Sequence, residues 1–244
     1  MLLLTLINNK IMIFKTEKVI GLCLLLGSIL LLIPYTILVV RFDYPDILRQ
    51  PTGEILTRFH QGGSGLIFTW LAFALVGLPL LEAVVLIGQK FEDKFYFIKW
   101  ATTLGVVGFV VQLIGLSRWV FVVPILAKDY VVGNDAAKIA IETSFKVIHQ
   151  FGGVLLGEHI GQLFTIAWTI MMCSAFIQLN LFPKWIHYFG IVSSLVYLTA
   201  QAELLNTVIP DFPFIGISGF LGSTLWLIYL IVLGVYFLKL KPKI

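Results

Sequence analysis

Six apolar stretches of about 20–26 residues each fill this chain, and their length is the constraint that the fold must satisfy. At about 1.5 Å per residue, each can cross a hydrocarbon layer about 30 Å thick. In such a layer every backbone N–H and C=O needs an internal partner, so the stretches are expected to be helices. Their periodicity and length predict spans at about 19–40, 63–88, 100–123, 154–179, 185–208 and 214–238. The expected fold is therefore all-α: a polytopic integral membrane bundle of about six transmembrane helices.

Composition agrees. Apolar residues make up 59% of the chain and charged residues 12%, against about 45–50% and about 25% in soluble domains. That excess suits a lipid-facing surface and leaves no room for a sizeable extramembrane domain. Residues 1–244 are thus expected to form a single membrane domain, with 1–18 as a cytoplasmic N-terminal segment. Both Met1 and Met12 can serve as the start, and the absence of a small-residue cleavage site predicts an uncleaved first helix.

Between the spans, Pro34 is an expected kink and the linker Arg41–Phe59 is expected at the interface. Span three is expected to stop at Pro124. The stretch Ala136–Ile148 sets Ile139, Phe145 and Ile148 against Lys138, Glu142 and Lys146 at helical spacing. It predicts a short amphipathic helix before the fourth span, one that can run on through Gly152-Gly153, where a bend is expected.

Lys and Arg set the orientation. With the N-terminus inside, the cytoplasmic side holds Lys10, Lys15, Lys18, Lys90, Lys94, Lys99, Lys184, Lys239, Lys241 and Lys243. The outer side holds fewer: Arg41, Arg49, Arg58, Lys128, Lys138 and Lys146. Both termini are therefore expected in the cytoplasm. The net charge of +4 is spread along the chain, which argues against nucleic acid as a partner. Cys23 and Cys173 lie in apolar spans and read as small hydrophobes.

The polar residues inside the spans are the functional clue, because ionisable groups in hydrocarbon cost roughly 2.5–3.5 kcal/mol each. Arg118 lies six residues before Pro124, Glu158 and His159 near the start of span four, and Gln201 and Glu203 near the end of span five. Helical rise places them at a similar level of the outer leaflet. His60 stands at the outer entrance of span two and His149 just before span four. Glu158, Gln162, Thr165, Thr169 and Cys173 share one helical face, which should turn toward the bundle interior. Glu203 points about 160° away from Gln201 on a regular helix, so both enter one pocket only if the helix end is distorted.

Several chemistries lack their signatures. HExxH, GxSxG, GxxxxGK[ST] and GxGxxG do not occur. On a regular helix His149 and His159 cannot hold one ion together. A metal would need His159 with Glu158 and residues of other spans, such as Glu203 or His60. A haem would need His60 with His149 or His159. The sequence leaves any cofactor unassigned.

Arg118-Trp119-Val120-Phe121-Val122-Val123-Pro124-Ile125-Leu126-Ala127, with His149-Gln150-Phe151-Gly152-Gly153 and Gly157-Glu158-His159-Ile160-Gly161-Gln162, resembles a bacterial multi-span family known only as domain of unknown function 4386. The resemblance implies a bacterial cytoplasmic membrane protein and supplies no activity.

Three function classes stay open. One is a binding, sensing or transport protein whose outward-facing polar pocket takes a small anionic or lipid ligand. Its candidate residues are Arg118, Glu158, His159, Gln162, Gln201, Glu203, His149 and His60. The second is a membrane-embedded enzyme acting on a lipid or isoprenoid, with His159 or Glu158 as acid or base. The third is a structural subunit of a larger complex, in which Arg118 would pair with Glu158 or Glu203 and lock the helices together. Membrane lipids are the partners common to all three.

Overall fold

The computed structural model describes residues 2–240, with side chains from residue 16 onward. Met1, and the side chains of Lys10, Met12, Lys15, Lys241 and Lys243, lie outside that description. Among the described residues there is no strand. The helices are α1 (Leu2–Phe42), α2 (Thr52–Leu75), α3 (Leu78–Phe91), α4 (Phe97–Phe121) and α5 (Val123–Val132), followed by α6 (Asp135–Ile148), α7 (Gly161–Gln178), α8 (Lys184–Leu198), α9 (Gln201–Asn206) and α10 (Ser218–Lys239). A 3-10 turn, Asp46–Arg49, precedes α2, and a π-helix, His149–Ile160, joins α6 to α7.

Six helices are long and apolar enough to cross a membrane: Thr16–Phe42, Thr52–Phe91, Phe97–Val132, Asp135–Gln178, Lys184–Asn206 and Ser218–Lys239. The chain is an integral membrane protein with an all-α fold. Much of its exposed surface is large and apolar, with Ile33, Phe68 and Phe121 each more than half exposed. That is the surface hydrocarbon requires and water penalises.

Some span boundaries differ from those expected. Span two begins at Thr52, so the end of the linker Arg41–Phe59 is helical. The helix changes backbone at Gly63 (φ 56°, ψ −155°), where the apolar stretch starts. Hydropathy marks the change of environment and misses the polar helix before it. Span three does not stop at Pro124, because proline is tolerated in a first turn, where its missing N–H would have no partner anyway. It falls there in α5, which continues to Val132. The amphipathic helix runs on through Gly152-Gly153 into the fourth span: α6, the π-helix and α7 form one span of 44 residues. Pro34 sits inside an unbroken α1.

The apolar positions of α6 also divide. Phe145 is buried, whereas Ile139 is 69% exposed. The segment is apolar on two faces.

The chain packs as two compact units. The first comprises residues up to Ile29, Leu78–Val107, and Leu163 onward. Polar bonds run through its apolar core. Trp226 Nε1 donates to Thr169 Oγ1 at 2.8 Å, and the Cys173 thiol to the Tyr229 hydroxyl at 3.1 Å. Thr165, Thr169 and Cys173 are buried, as the shared face from Glu158 to Cys173 predicts. Glu17 pairs with Lys90 at 2.8 Å. The second unit comprises Leu30–Gly77 and Gly108–Gln162. Its core is aromatic: Trp119 stacks on Trp70 at 4.7 Å and on Phe59 at 5.5 Å, with Phe42 edge-on at 5.6 Å.

Gly63 has open space around its Cα, so only its backbone angles oppose a side chain. Gly63→Ala should cost about 1–3 kcal/mol, the usual cost of a strained backbone conformation. Gly65→Ala, also without close neighbours, should change little. Unfolding midpoints in detergent would check the pair.

Candidate functional site

Both motif segments lie in the second unit, and glycine lets them meet. A Cβ on Gly115 would fall 2.7 Å from the Gly152 carbonyl oxygen and 2.9 Å from the Gly157 Cα. Backbone-to-backbone approach of this kind is how small residues join helices in membranes. It brings α4 onto the π-helix and places Arg118 beside it. The Arg118 guanidinium covers Gly153, where a Cβ would stand 2.4 Å from Nη2. Arg118 Nη1 donates to the Gly115 carbonyl. Its Cζ lies 5.2 Å from the Trp119 ring centroid, within cation–π range.

The π-helix changes which residues share a face. Its bonds run i→i+5, one residue wider than in an α-helix. Positions four to five apart then align, which puts His149, Gly153 and Glu158 in one row. His149 stacks on Phe145 at 5.3 Å and stands edge-on to Trp119 at 6.3 Å. Arg118 Nε, both ring nitrogens of His149 and Trp70 Nε1 are buried without a hydrogen-bond partner among the described residues.

Glu158 pairs with Arg49, Nη2 to Oε2 at 3.4 Å, and no carboxylate stands in ion-pair range of Arg118 among the described residues. Arg49 also lines a polar cleft of about 900 Å³. Gln50 to Glu54, Thr57, Arg58 and Gln61 form one side, and Tyr130, Glu142 and Lys146 the other. Gly53 makes room for the facing side chains, since a Cβ there would lie 2.3 Å from the Tyr130 oxygen. Tyr130 donates to Glu142 Oε1 at 2.9 Å. Arg58 is held by Asp43 at 2.6 Å and Glu54 at 3.3 Å. Lys146 has no carboxylate in ion-pair range among the described residues. The first turn of α2 lies in the lining, and its partial positive charge favours anions.

Of the sequence candidates, Arg118, Glu158, His159, Gln162, His149 and His60 belong to the second unit, and Gln201 and Glu203 to the first. Gln162 is buried, and His60 is exposed. Glu158 and His159 are half-buried. The end of span five is indeed irregular: α8 stops at Leu198, and Gln201 and Glu203 sit on the separate α9. None of His159, Gln162, Gln201 and Glu203 is free of partners. Among the described residues no three His, Cys, Asp or Glu side chains converge to hold a metal, so His159 and Glu158 lack a third donor. None of the eight candidates lines the cleft. Arg49, Arg58 and Lys146 were legible only as topology charges, because their convergence depends on the α2–α5–α6 packing.

Gly115→Ala should lower stability by about 1–3 kcal/mol, the range for overpacking. The nearest atoms are backbone and cannot swing aside. Gly219→Ala, whose nearest neighbour is 3.9 Å away, should be close to neutral. Thermal unfolding of both variants in detergent checks the contrast.

No curated protein and no solved structure matches this chain. The family described as domain of unknown function (DUF4386) matches residues 19–234, a stretch that includes both motifs and nearly the whole of the six-helix fold, and the chain belongs to that family.

Proposed function

We propose that this protein is a membrane-embedded binding protein that takes a small anionic or lipid ligand at the cleft of the second unit. One observation carries it. Lys146 brings an unpaired cation to a cleft that also holds Arg49 and the N-terminal turn of α2. An anion there gains charge-assisted hydrogen bonds, about twice as strong as neutral ones. Arg49 also links the cleft to Glu158, and so to the π-helix. In this reading Arg118 seats the π-helix, while Arg49 and Lys146 meet the ligand.

Titration of the detergent-purified protein with glycerol 3-phosphate and with dihexanoyl phosphatidylglycerol tests the proposal, read as a shift in unfolding temperature. At least one probe should stabilise the protein. Lys146→Gln should weaken that probe about tenfold, the loss of about 1.4 kcal/mol of a charged hydrogen bond. Stabilisation by neither probe, or equal affinity in the variant, overturns it.

The structural-subunit reading has support of its own, because the Arg118 guanidinium, bonded to Gly115 of its own helix, packs over Gly153 of the π-helix. It is favoured if Arg118→Ala lowers the unfolding midpoint and no anionic probe binds.

We further propose that the protein resides in a bacterial cytoplasmic membrane with both termini inside, on the Lys and Arg asymmetry. The cleft then faces outward. A single cysteine at Gln61, in a variant lacking Cys23 and Cys173, should react with a membrane-impermeant maleimide on intact cells. A cysteine at Asp93 should react only after lysis. The reverse pattern would invert the topology.

A further inference from the structure

The cleft has two unlike rims. On α2 the exposed side chains in and beside the lining, Glu54, Arg58, His60 and Gln61, are all polar. On α6 they include large apolar side chains. Ile139 is seven residues before Lys146 and shares its face. From Ile139 an exposed row continues at four-residue steps through Thr143 and Val147 to Phe151. Ile139 is 69% exposed, Val147 62% and Phe151 58%. Phe145 on the other side of α6 is buried in the aromatic core, so the exposed row is a second apolar face that the unit's own packing does not use. A soluble anion needs only the polar rim. An amphiphile uses both.

We infer that the ligand of this cleft is an anionic lipid, its phosphate against Lys146 and Arg49 and an acyl chain along Ile139, Val147 and Phe151. This rests on the cleft reading above and narrows it from anions in general to membrane amphiphiles. Two observations choose a lipid over a protein partner. The row belongs to the membrane-spanning helix Asp135–Gln178, so it continues a surface that meets hydrocarbon. The cations beside it also complement a phosphate. Chain burial adds affinity with every methylene removed from water, so the lipid should bind more tightly than its isolated headgroup.

The test compares three probes on the full chain in dodecyl maltoside, with affinities from thermal shift. They are dihexanoyl phosphatidylglycerol, glycerol 3-phosphate and dihexanoyl phosphatidylcholine. The anionic lipid should bind at least about tenfold more tightly than either of the others. In Ile139→Asn/Val147→Asn the advantage over glycerol 3-phosphate should vanish, while glycerol 3-phosphate affinity stays unchanged. Should that double variant fail to fold, Val147→Ala and Phe151→Ala, each removing only exposed apolar atoms, should each shrink the advantage. Equal binding of the anionic lipid and glycerol 3-phosphate overturns the lipid assignment and leaves the cleft reading standing. An advantage that survives in all three variants also overturns the assignment. Equal binding of phosphatidylcholine shows that charge is not read and overturns the assignment. Binding of no probe overturns both readings.

Discussion

The close approach of α4 to the π-helix is the constraint on which the rest of the second unit depends. Gly115 meets Gly152 and Gly157 backbone to backbone, and Arg118 lies over Gly153 one turn away. With no side chain between them, the two backbones come close enough for the guanidinium to lie over Gly153 while it bonds the Gly115 carbonyl of its own helix and rests on Trp119. A buried cation in a membrane protein is costly. Here the aromatic face and the carbonyl offset part of that cost, and no carboxylate is enlisted among the described residues. The aromatic stack of Trp70, Trp119 and Phe59 then holds α2 against α4.

The cleft follows from that packing. Once α2, α5 and α6 are set around the aromatic core, the polar start of α2 and the charged side of α6 face each other. Gly53 keeps the gap narrow enough for Tyr130 and Glu142 to lie over the first turn of α2. Arg49 reaches from the 3-10 turn to Glu158, so the cleft and the π-helix share one ion pair.

Polar groups in the first unit solve a different problem. Thr169, Cys173, Trp226 and Tyr229 satisfy one another inside an apolar core. Gly190 leaves room for the Cys173 sulfur and the Tyr229 ring, which would stand 2.8 Å and 2.6 Å from a Cβ there. A half-satisfied network in hydrocarbon would cost more than an apolar core. Such bonds fix helix rotation, and they account for the buried polar face of α7 without invoking a ligand.

By itself the sequence determined the membrane fold, the number of spans and the segments that carry the family motifs. Apolar length and periodicity are local properties, and the bilayer converts them directly into helices. It also marked Arg118, Glu158 and His149, because ionisable residues beside apolar runs stand out without any structure. Tertiary packing decided the rest. The π-helix replaced an α-helical row with one that aligns His149, Gly153 and Glu158, a change of period invisible to hydropathy. Arg49 rather than Arg118 became the partner of Glu158, because they lie 109 residues apart and meet only when the fold closes. The cleft likewise joins the start of α2 to α5 and α6, whose charges look like solvated topology signals until packing makes them converge.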